Sequence, residues 1–359
     1  FRENIDSFTI ALAGLFQDRT PAAYKEDIVK AWERKSRYYP LKKKLSFAQY
    51  KLFRELPLVR LGPNRSGVIV ETSSKRLVPF GLLAGRTIGL SREHIASDGK
   101  VKKQNVGIEK SFDTVLSGRE GQKLVRFVAG GAAIPIAGYE TEPEHGKDVY
   151  TTLDLRMQDI TETALMRMML QSEALYGTAI VMETATGKIK AIANLGRRPD
   201  GSYWEDDNYA LRTTEPGSTI KLATLLAVLE KGTSKISDQV EIGSAGKGMV
   251  GPKLVYDAER SPKPFLSVQE CFSHSSNIGM SKLALKAFGK KPTELKDYLH
   301  RFQLDTRSPI DLNNVPRPRM APLNEKGSSL GNMLWMSFGY ALQVSPLHTL
   351  TLYNAVANE

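Results

Sequence analysis

The sequence predicts an α+β protein of two domains, one over residues 1–148 and the other over residues 149–359. In the first domain, short apolar runs at residues 67–70 and 134–136 are bounded by Gly and Pro, which is typical of strands. A polar linker containing Pro and Gly follows at residues 140–146. Beyond the linker, helical and hairpin patterns alternate, which predicts an antiparallel sheet flanked by helices in the second domain.

Two helix starts are visible near the beginning of the chain. Thr20 followed by Pro21 predicts an N-cap and a first helical residue, since proline needs no hydrogen-bond acceptor there. Ser46 with Gln49 three residues later predicts a capping box that opens a second, shorter helix. The apolar residues expected along one face of the first helix are Tyr24, Ile28 and Trp32.

The second domain should begin with a long helix capped by Asp154. Apolar strands at residues 179–182 and 189–193, joined through Thr186-Gly187, then predict a hairpin. Residues 268–288 and 292–302 have helical patterns. The residues expected to pack the first helix against the core are Ile160, Ala164, Leu165, Met168 and Met169.

The most informative motif is Ser218-Thr-Ile-Lys221, preceded by Glu-Pro-Gly and followed by an apolar run. Helix positions i and i+3 are neighbours, so the lysine amine can reach the serine hydroxyl. The free N–H groups of a helix start favour developing negative charge. An alcohol, an adjacent amine and backbone donors together indicate an activated nucleophile. A lone S-x-x-K is weak evidence, because it also describes an N-cap serine with a solvated lysine.

A second motif lies about sixty residues downstream, in Ser275-Ser-Asn277. The Ser275 hydroxyl could relay a proton, and the Asn277 amide could orient the lysine or hold a substrate amide. The alternative is a loop that connects two helices, since Ser and Asn favour turns. In this order, S-x-x-K followed by S-x-N matches the motif set of penicillin-binding proteins and class A β-lactamases.

With these motifs the chain resembles the class B high-molecular-weight penicillin-binding proteins, and within them the cell-division (FtsI, or penicillin-binding protein 3) type. The resemblance covers roughly residues 60–359. It implies a penicillin-binding/β-lactamase-like transpeptidase domain preceded by an elongated α+β pedestal. Further stretches that carry it are Arg86-Thr-Ile-Gly89, Gly107-Ile-Glu-Lys-Ser-Phe-Asp113, Leu116-Ser-Gly-Arg-Glu-Gly121, Thr152-Leu-Asp154, residues 179–191 and residues 338–347.

The resemblance implies a peptidoglycan D,D-transpeptidase that forms an acyl-enzyme on Ser218, with Lys221, Ser275 and Asn277 as the other catalytic residues. The implied partners are stem peptides ending in D-Ala-D-Ala, β-lactam antibiotics, a membrane glycosyltransferase and division proteins. The implied location is the periplasmic side of the inner membrane, with an N-terminal anchor preceding Phe1. A β-lactamase or D,D-carboxypeptidase and a non-catalytic scaffold of the division complex are the alternatives.

The third motif of this family, K-[ST]-G, does not occur in the sequence. Lys231-Gly-Thr233 has the wrong order, and it closes the helix that carries the predicted nucleophile. Relatives would run on past residue 359 to that motif, so we expect a truncated chain or a disordered tail rather than a degenerate enzyme. The fragment by itself could therefore be inactive.

Composition excludes several classes of function. The net charge is +11, and residues 1–65 hold 14 Lys and Arg against 7 Asp and Glu. No basic motif with interleaved aromatic residues accompanies that charge, so anionic lipid or polymer is expected rather than nucleic acid. Five His and one Cys without ligand spacing predict neither a metal nor a cofactor. Cys271 is expected to be a small buried hydrophobic residue.

Overall fold

The computed structural model describes residues 4–36, 39–62, 66–70, 79–81, 83–95, 101–119, 121–127, 133–141, 144–261, 263–323 and 329–358. The chain divides into two compact units, Phe1–Leu77 and Val78–Glu359. The domain boundary at residue 148 stays a prediction. Within the predicted linker, residues up to Thr141 extend a strand, and Glu144 forms an isolated bridge with Arg119.

The first unit is helical, with α1 (Ile5–Phe16), α2 (Pro21–Glu33) and α3 (Phe47–Arg54). Both predicted caps are confirmed: Thr20 accepts from the backbone of α2, and Ser46 forms the capping box of α3. The sequence did not predict α1. Residues 67–70 are not a strand, contrary to prediction, and Trp32 is 52% exposed rather than buried. The buried core consists of Ile5, Phe8, Leu12, Tyr24, Ile28, Phe53 and Leu58.

The second unit opens with short helices and two antiparallel pairs of strands. The helices are α4 (Gly85–Ile88), α5 (Gly107–Ser111) and α6 (Asp113–Leu116). The pairs are β1 (Ser91–Ile95) with β2 (Val101–Asn105), and β3 (Gln122–Phe127) with β4 (Ala133–Thr141). The predicted strand at residues 134–136 is therefore confirmed as part of β4.

The sheet behind the site is antiparallel and has the order β5 (Tyr176–Met182), β6 (Ile189–Arg197), β7 (Tyr203–Trp204). The predicted hairpin is confirmed, and Gly187 turns it with φ +67°. Helix α7 (Leu155–Ser172), capped by Asp154 as predicted, packs on β6.

The predicted core face of α7 is confirmed at Leu165 and Met169, and it is wrong at Ile160, Ala164 and Met168, which are exposed. Ile160 is 68% exposed and Met168 is 57% exposed, whereas Gln158, Thr161, Leu165 and Met169 are buried. Gln158 sets this orientation, because its side chain donates to the Ile192 carbonyl (2.7 Å) and accepts from the Ile192 N–H (2.9 Å). A polar residue on the buried face pairs with the sheet backbone there, so hydrophobicity alone misplaced the face.

Helices surround the site on the other side of the unit. They are α8 (Lys221–Glu230), α9 (Val268–Ser273), α10 (Asn277–Phe288), α11 (Thr293–Arg301), α12 (Ser329–Met336) and α13 (Pro346–Ala357). The remaining short strands pair antiparallel: β8 (Gln239–Glu241) with β11 (Phe265–Ser267), β9 (Lys247–Val250) with β10 (Lys253–Tyr256), and β12 (Arg319–Met320) with β13 (Leu342–Gln343). The expected helix at residues 268–288 is two helices, α9 and α10, and the break falls on the second motif.

Candidate active site

The predicted nucleophile lies at a helix start. Gly217–Ile220 forms one 3₁₀ turn, and α8 continues directly from Lys221. Gly217 takes φ +57°, a left-handed conformation that favours glycine. Ser218 is exposed, whereas Lys221 is only 1% exposed among the apolar residues that surround α8. The sequence therefore places a hydroxyl at the surface and its neighbouring amine beneath it.

The segment that carries Ser218 is held from behind by the chain around β13. Thr214 and Val344 exchange two backbone hydrogen bonds of 3.0 Å each, and Gly217 N–H donates to the Gly339 carbonyl at 3.2 Å. The Tyr353 hydroxyl of α13 donates to the Thr219 carbonyl at 3.1 Å. These contacts fix the backbone on both sides of Ser218.

Gly339 is a residue whose role the sequence did not reveal. A methyl carbon built on it would lie 1.8 Å from the Gly217 carbonyl oxygen, and its φ is +103°. Only glycine allows the two backbones to approach this closely. Gly339 lies in the stretch 338–347 that carries the family resemblance, but its sequence pattern did not identify Gly217 as the partner.

The Lys221 amine lies between the two motifs. Within the described residues it donates to Ser218 Oγ (3.1 Å), Ser275 Oγ (2.9 Å) and the Ser275 carbonyl (2.5 Å). The amine therefore joins the first motif to a residue 54 positions further along the chain. The predicted meeting of Ser218, Lys221 and Ser275 is what the structure contains.

Burial lowers the pKa of Lys221 from 10.5 to about 8, because the charged ammonium loses its hydration. The carboxylate of Asp257 opposes this and raises the pKa, so the shift is the balance of the two. At pH 7 a pKa of about 8 leaves roughly one amine in ten neutral. A neutral amine has two N–H donors and one lone pair. The lone pair can accept the Ser218 proton while both N–H groups of Lys221 still donate to Ser275.

The second motif occupies the break between α9 and α10. Ser275 takes φ +55°, a left-handed conformation rare outside glycine, asparagine and aspartate, and it is exposed. Asn277 is the first residue of α10, and its amide Nδ2 donates to the Tyr256 carbonyl at 2.7 Å. The amide therefore lies at the motif but is turned toward β10, and it is not among the partners of the Lys221 amine.

Cys271 lies close to the second motif in the sequence, but its thiol is not available as a nucleophile. Cys271 is fully buried, and burial raises the pKa of its thiol to about 12, so it packs as a neutral hydrophobic residue.

Within the described ranges, no three His, Cys, Asp or Glu side chains group closely enough to hold a metal ion. Among those same residues, no helix is both long and apolar enough to cross a bilayer.

Known families match both parts of the chain. The penicillin binding protein transpeptidase domain matches residues 177–359, and the penicillin-binding protein dimerisation domain matches residues 2–151. Over 292 residues the chain is 30% identical to a probable peptidoglycan D,D-transpeptidase, PbpC, of Pseudomonas aeruginosa, covering 79% of this chain and 49% of PbpC. It is 26% identical to the peptidoglycan D,D-transpeptidase FtsI of Escherichia coli, covering 81% and 48%. The chain thus spans about half the length of the curated relatives it matches.

Solved structures share the fold. Penicillin-binding protein 2X of Streptococcus thermophilus superposes with a TM-score of 0.76 at 21% identity, covering 100% of this chain and 52% of that one. Penicillin-binding protein 3 of Mycobacterium tuberculosis, solved in complex with aztreonam, gives a TM-score of 0.61 at 25% identity, covering 79% and 58%. The predicted fold class is confirmed by these matches.

Proposed function

Because this chain belongs to the penicillin-binding protein transpeptidase family, we propose that it cross-links peptidoglycan stem peptides through an acyl-enzyme on Ser218. The observation that carries the proposal is the buried amine of Lys221, which lies 3.1 Å from Ser218 Oγ and 2.9 Å from Ser275 Oγ. This arrangement supplies an alcohol, a base within hydrogen-bond reach and a second hydroxyl that faces the same amine.

In the acylation step, neutral Lys221 removes the Ser218 hydroxyl proton as Oγ attacks the carbonyl of the penultimate D-Ala. The Ser218 backbone N–H, in the first turn of its helix, has no intrahelical acceptor and can donate to the oxyanion. Collapse of the tetrahedral intermediate breaks the C–N bond to the terminal D-Ala. Ser275 passes a proton from the Lys221 ammonium to that departing amine, so the charge balance is restored.

The second step transfers the acyl group. An amine of a neighbouring stem peptide attacks the ester carbonyl on Ser218, and Lys221 again receives the proton that this amine loses. The bond between that carbonyl carbon and Ser218 Oγ then breaks, and Lys221 returns the proton to Ser218 Oγ. Asn277 would hold the backbone of the substrate through its side-chain oxygen Oδ1, since its Nδ2 already donates to the Tyr256 carbonyl. β-Lactams would acylate the same serine because their strained amide resembles D-Ala-D-Ala.

We place this activity in the cell envelope, on the periplasmic side of the inner membrane, with an N-terminal anchor. Septal wall synthesis, a membrane glycosyltransferase partner and division proteins belong to the same proposal. The support is the similarity to the division transpeptidase FtsI. The basic first 65 residues are compatible with a position close to anionic lipid.

A fluorescent penicillin tests the assignment on the protein expressed at its full natural length. The wild type should acquire a covalent label, and Ser218→Ala should acquire none. Ser273→Ala is the matched control, because that serine is also exposed but donates only to the Glu270 carbonyl. Equal labelling of wild type and Ser218→Ala would end the assignment. Rapid turnover of a chromogenic cephalosporin, instead of an adduct that persists for minutes, would favour a hydrolase.

A further inference from the structure

The chain segment at the end of β10 forms three hydrogen bonds with Ser276, Asn277 and Ile278, in and directly after the second motif. The Tyr256 carbonyl accepts from Asn277 Nδ2 at 2.7 Å. The next residue, Asp257, accepts from Ser276 Oγ through Oδ2 (2.8 Å) and from the Ile278 N–H through Oδ1 (2.9 Å). Both oxygens of one carboxylate are therefore bound to residues that flank Asn277.

We infer that Asp257 is a positioning residue of the proposed reaction, which fixes Ser275 opposite the Lys221 amine and holds Asn277 at the start of α10. The inference rests on the proposed function of that site. Ser275 immediately precedes Ser276 in the chain, so the carboxylate that binds the Ser276 hydroxyl also locates the Ser275 carbonyl and hydroxyl. Asp257 does not touch the Lys221 amine, whose partners are Ser218 and Ser275.

The backbone of Ser275 explains why such an anchor is needed. A left-handed conformation in a non-glycine residue costs on the order of 1 kcal/mol, and it persists only where surrounding contacts impose it. The contacts that impose it come from both sides: Cys271 O accepts from Ser276 N–H at 2.8 Å, and Asp257 holds the Ser276 side chain. Ser276 Oγ also accepts from the Gly279 N–H at 2.9 Å, which ties the anchor to the first turn of α10.

Asp257 has a second, electrostatic effect on the same amine. Its charge raises the pKa of Lys221 against the lowering by burial. Two other titratable groups lie beside the motif. His274 directly precedes Ser275 and is exposed. Cys271 of α9 stays neutral because burial and the charges of Asp257 and Glu270 raise its pKa to about 12. One carboxylate thus holds the second motif in place and also tunes the base that this motif contacts.

The test is the pH profile of the acylation rate with a fluorescent penicillin, measured on the protein at its full natural length. Asp257→Asn keeps the shape, since its oxygen can accept from Ile278 and its amide can donate to Ser276, but it removes the charge. We expect its acidic limb to move to lower pH. Asp257→Ala also loses both hydrogen bonds, and its acylation rate should fall by roughly 10- to 100-fold. Ser276→Ala should slow acylation without moving the limb.

Asp154→Asn is the matched control. Asp154 also accepts from two backbone N–H groups at a helix start, those of Arg156 and Met157, but it does not act on Lys221. Its profile should coincide with that of the wild type. If Asp257→Ala acylates at the wild-type rate, the positioning inference is wrong while the proposed function stands, and if Asp257→Asn keeps the wild-type limb, the charge of Asp257 does not tune Lys221. A wild type that acquires no label would instead overturn the proposed function. If Asp257→Ala does not fold, Ser276→Ala decides the positioning role, and a wild-type acylation rate in that variant would overturn it.

Discussion

The hydrogen-bond cluster around Lys221 and the one around Glu205 each contain an ionisable side chain whose pKa is shifted by burial. Burial lowers the pKa of Lys221 to about 8 and raises that of Glu205 to about 7. Desolvation disfavours the charged form in both cases, and the sign differs because one group is a base and the other an acid. The size of the shift therefore does not distinguish the two regions.

Their hydrogen-bond partners do distinguish them. The Lys221 amine faces two side-chain hydroxyls, and one of them belongs to the exposed Ser218. Glu205 accepts from the backbone N–H groups of Arg86 (2.7 Å) and Asn194 (3.1 Å), which joins α4 to β6. A shifted pKa indicates a reactive group only where a potential nucleophile shares its hydrogen bond and reaches solvent.

The largest expected effect follows removal of the Lys221 amine. Lys221→Met keeps most of the buried stem and removes the proposed base, so the acylation rate constant should fall by roughly 10²- to 10⁴-fold. The measurement is the second-order rate of labelling by a fluorescent penicillin. Lys231→Ala is the matched control at the other end of α8, where the lysine pairs with Glu294 at the surface. If Lys221→Met were labelled at a rate within about tenfold of the wild type, Lys221 would be a structural group, as Glu205 is.

Gly339 tests whether the backbone beneath Ser218 matters as much as its side-chain partners. In Gly339→Ala the new methyl carbon would meet the Gly217 carbonyl oxygen at 1.8 Å, so one of the two backbones must move. We expect a loss of unfolding free energy of roughly 2–3 kcal/mol, together with acylation slowed by about tenfold or more. Urea unfolding and the labelling rate give the two values.

The control for this substitution is Gly232→Ala. Gly232 also has a left-handed φ, +72°, but nothing lies within 4 Å of the position that its new methyl carbon would occupy. It should therefore show only the backbone strain of about 1 kcal/mol, with a normal acylation rate. Equal effects of the two alanine variants would mean that the contact with Gly217 does not position Ser218.

The first motif could be predicted from the sequence because its geometry is local. Ser218 and Lys221 lie one helical turn apart, so their contact follows from helix periodicity. The caps at Thr20, Ser46 and Asp154 were predictable for the same reason. In each case the two partners lie within three residues of each other.

The contact of Lys221 with Ser275 is long-range and was predicted from the two motifs together, but the sequence contained no signal for the other long-range contacts. Asp257 lies 19 residues before Ser276, and Glu205 lies 119 residues after Arg86, so only the folded chain brings them together. The predicted core face of α7 included exposed residues, because Gln158 turns toward β6 and bonds to its backbone. Polar residues that pair with a distant backbone have no pattern in a single sequence.

The most specific effect concerns the pH dependence of stability at Glu205. Its pKa is about 7 in the folded chain and 4.5 as an ordinary glutamate, since burial and the charge of Glu162 raise it while Arg86 lowers it. As pH rises from 4.5 to 7, the unfolded chain loses this proton first, so the unfolding free energy falls, by up to roughly 3 kcal/mol. Lys221 acts in the opposite sense, since its lowered pKa raises stability as pH rises from 8 to 10.5.

Glu205→Gln cannot ionise and should lack the fall in unfolding free energy, whereas Glu241→Gln, at an exposed position of β8, should keep it. Urea unfolding at about pH 5 and about pH 7.5 measures the difference, and identical pH dependence in wild type and Glu205→Gln would show that this carboxylate is charged in the folded protein throughout.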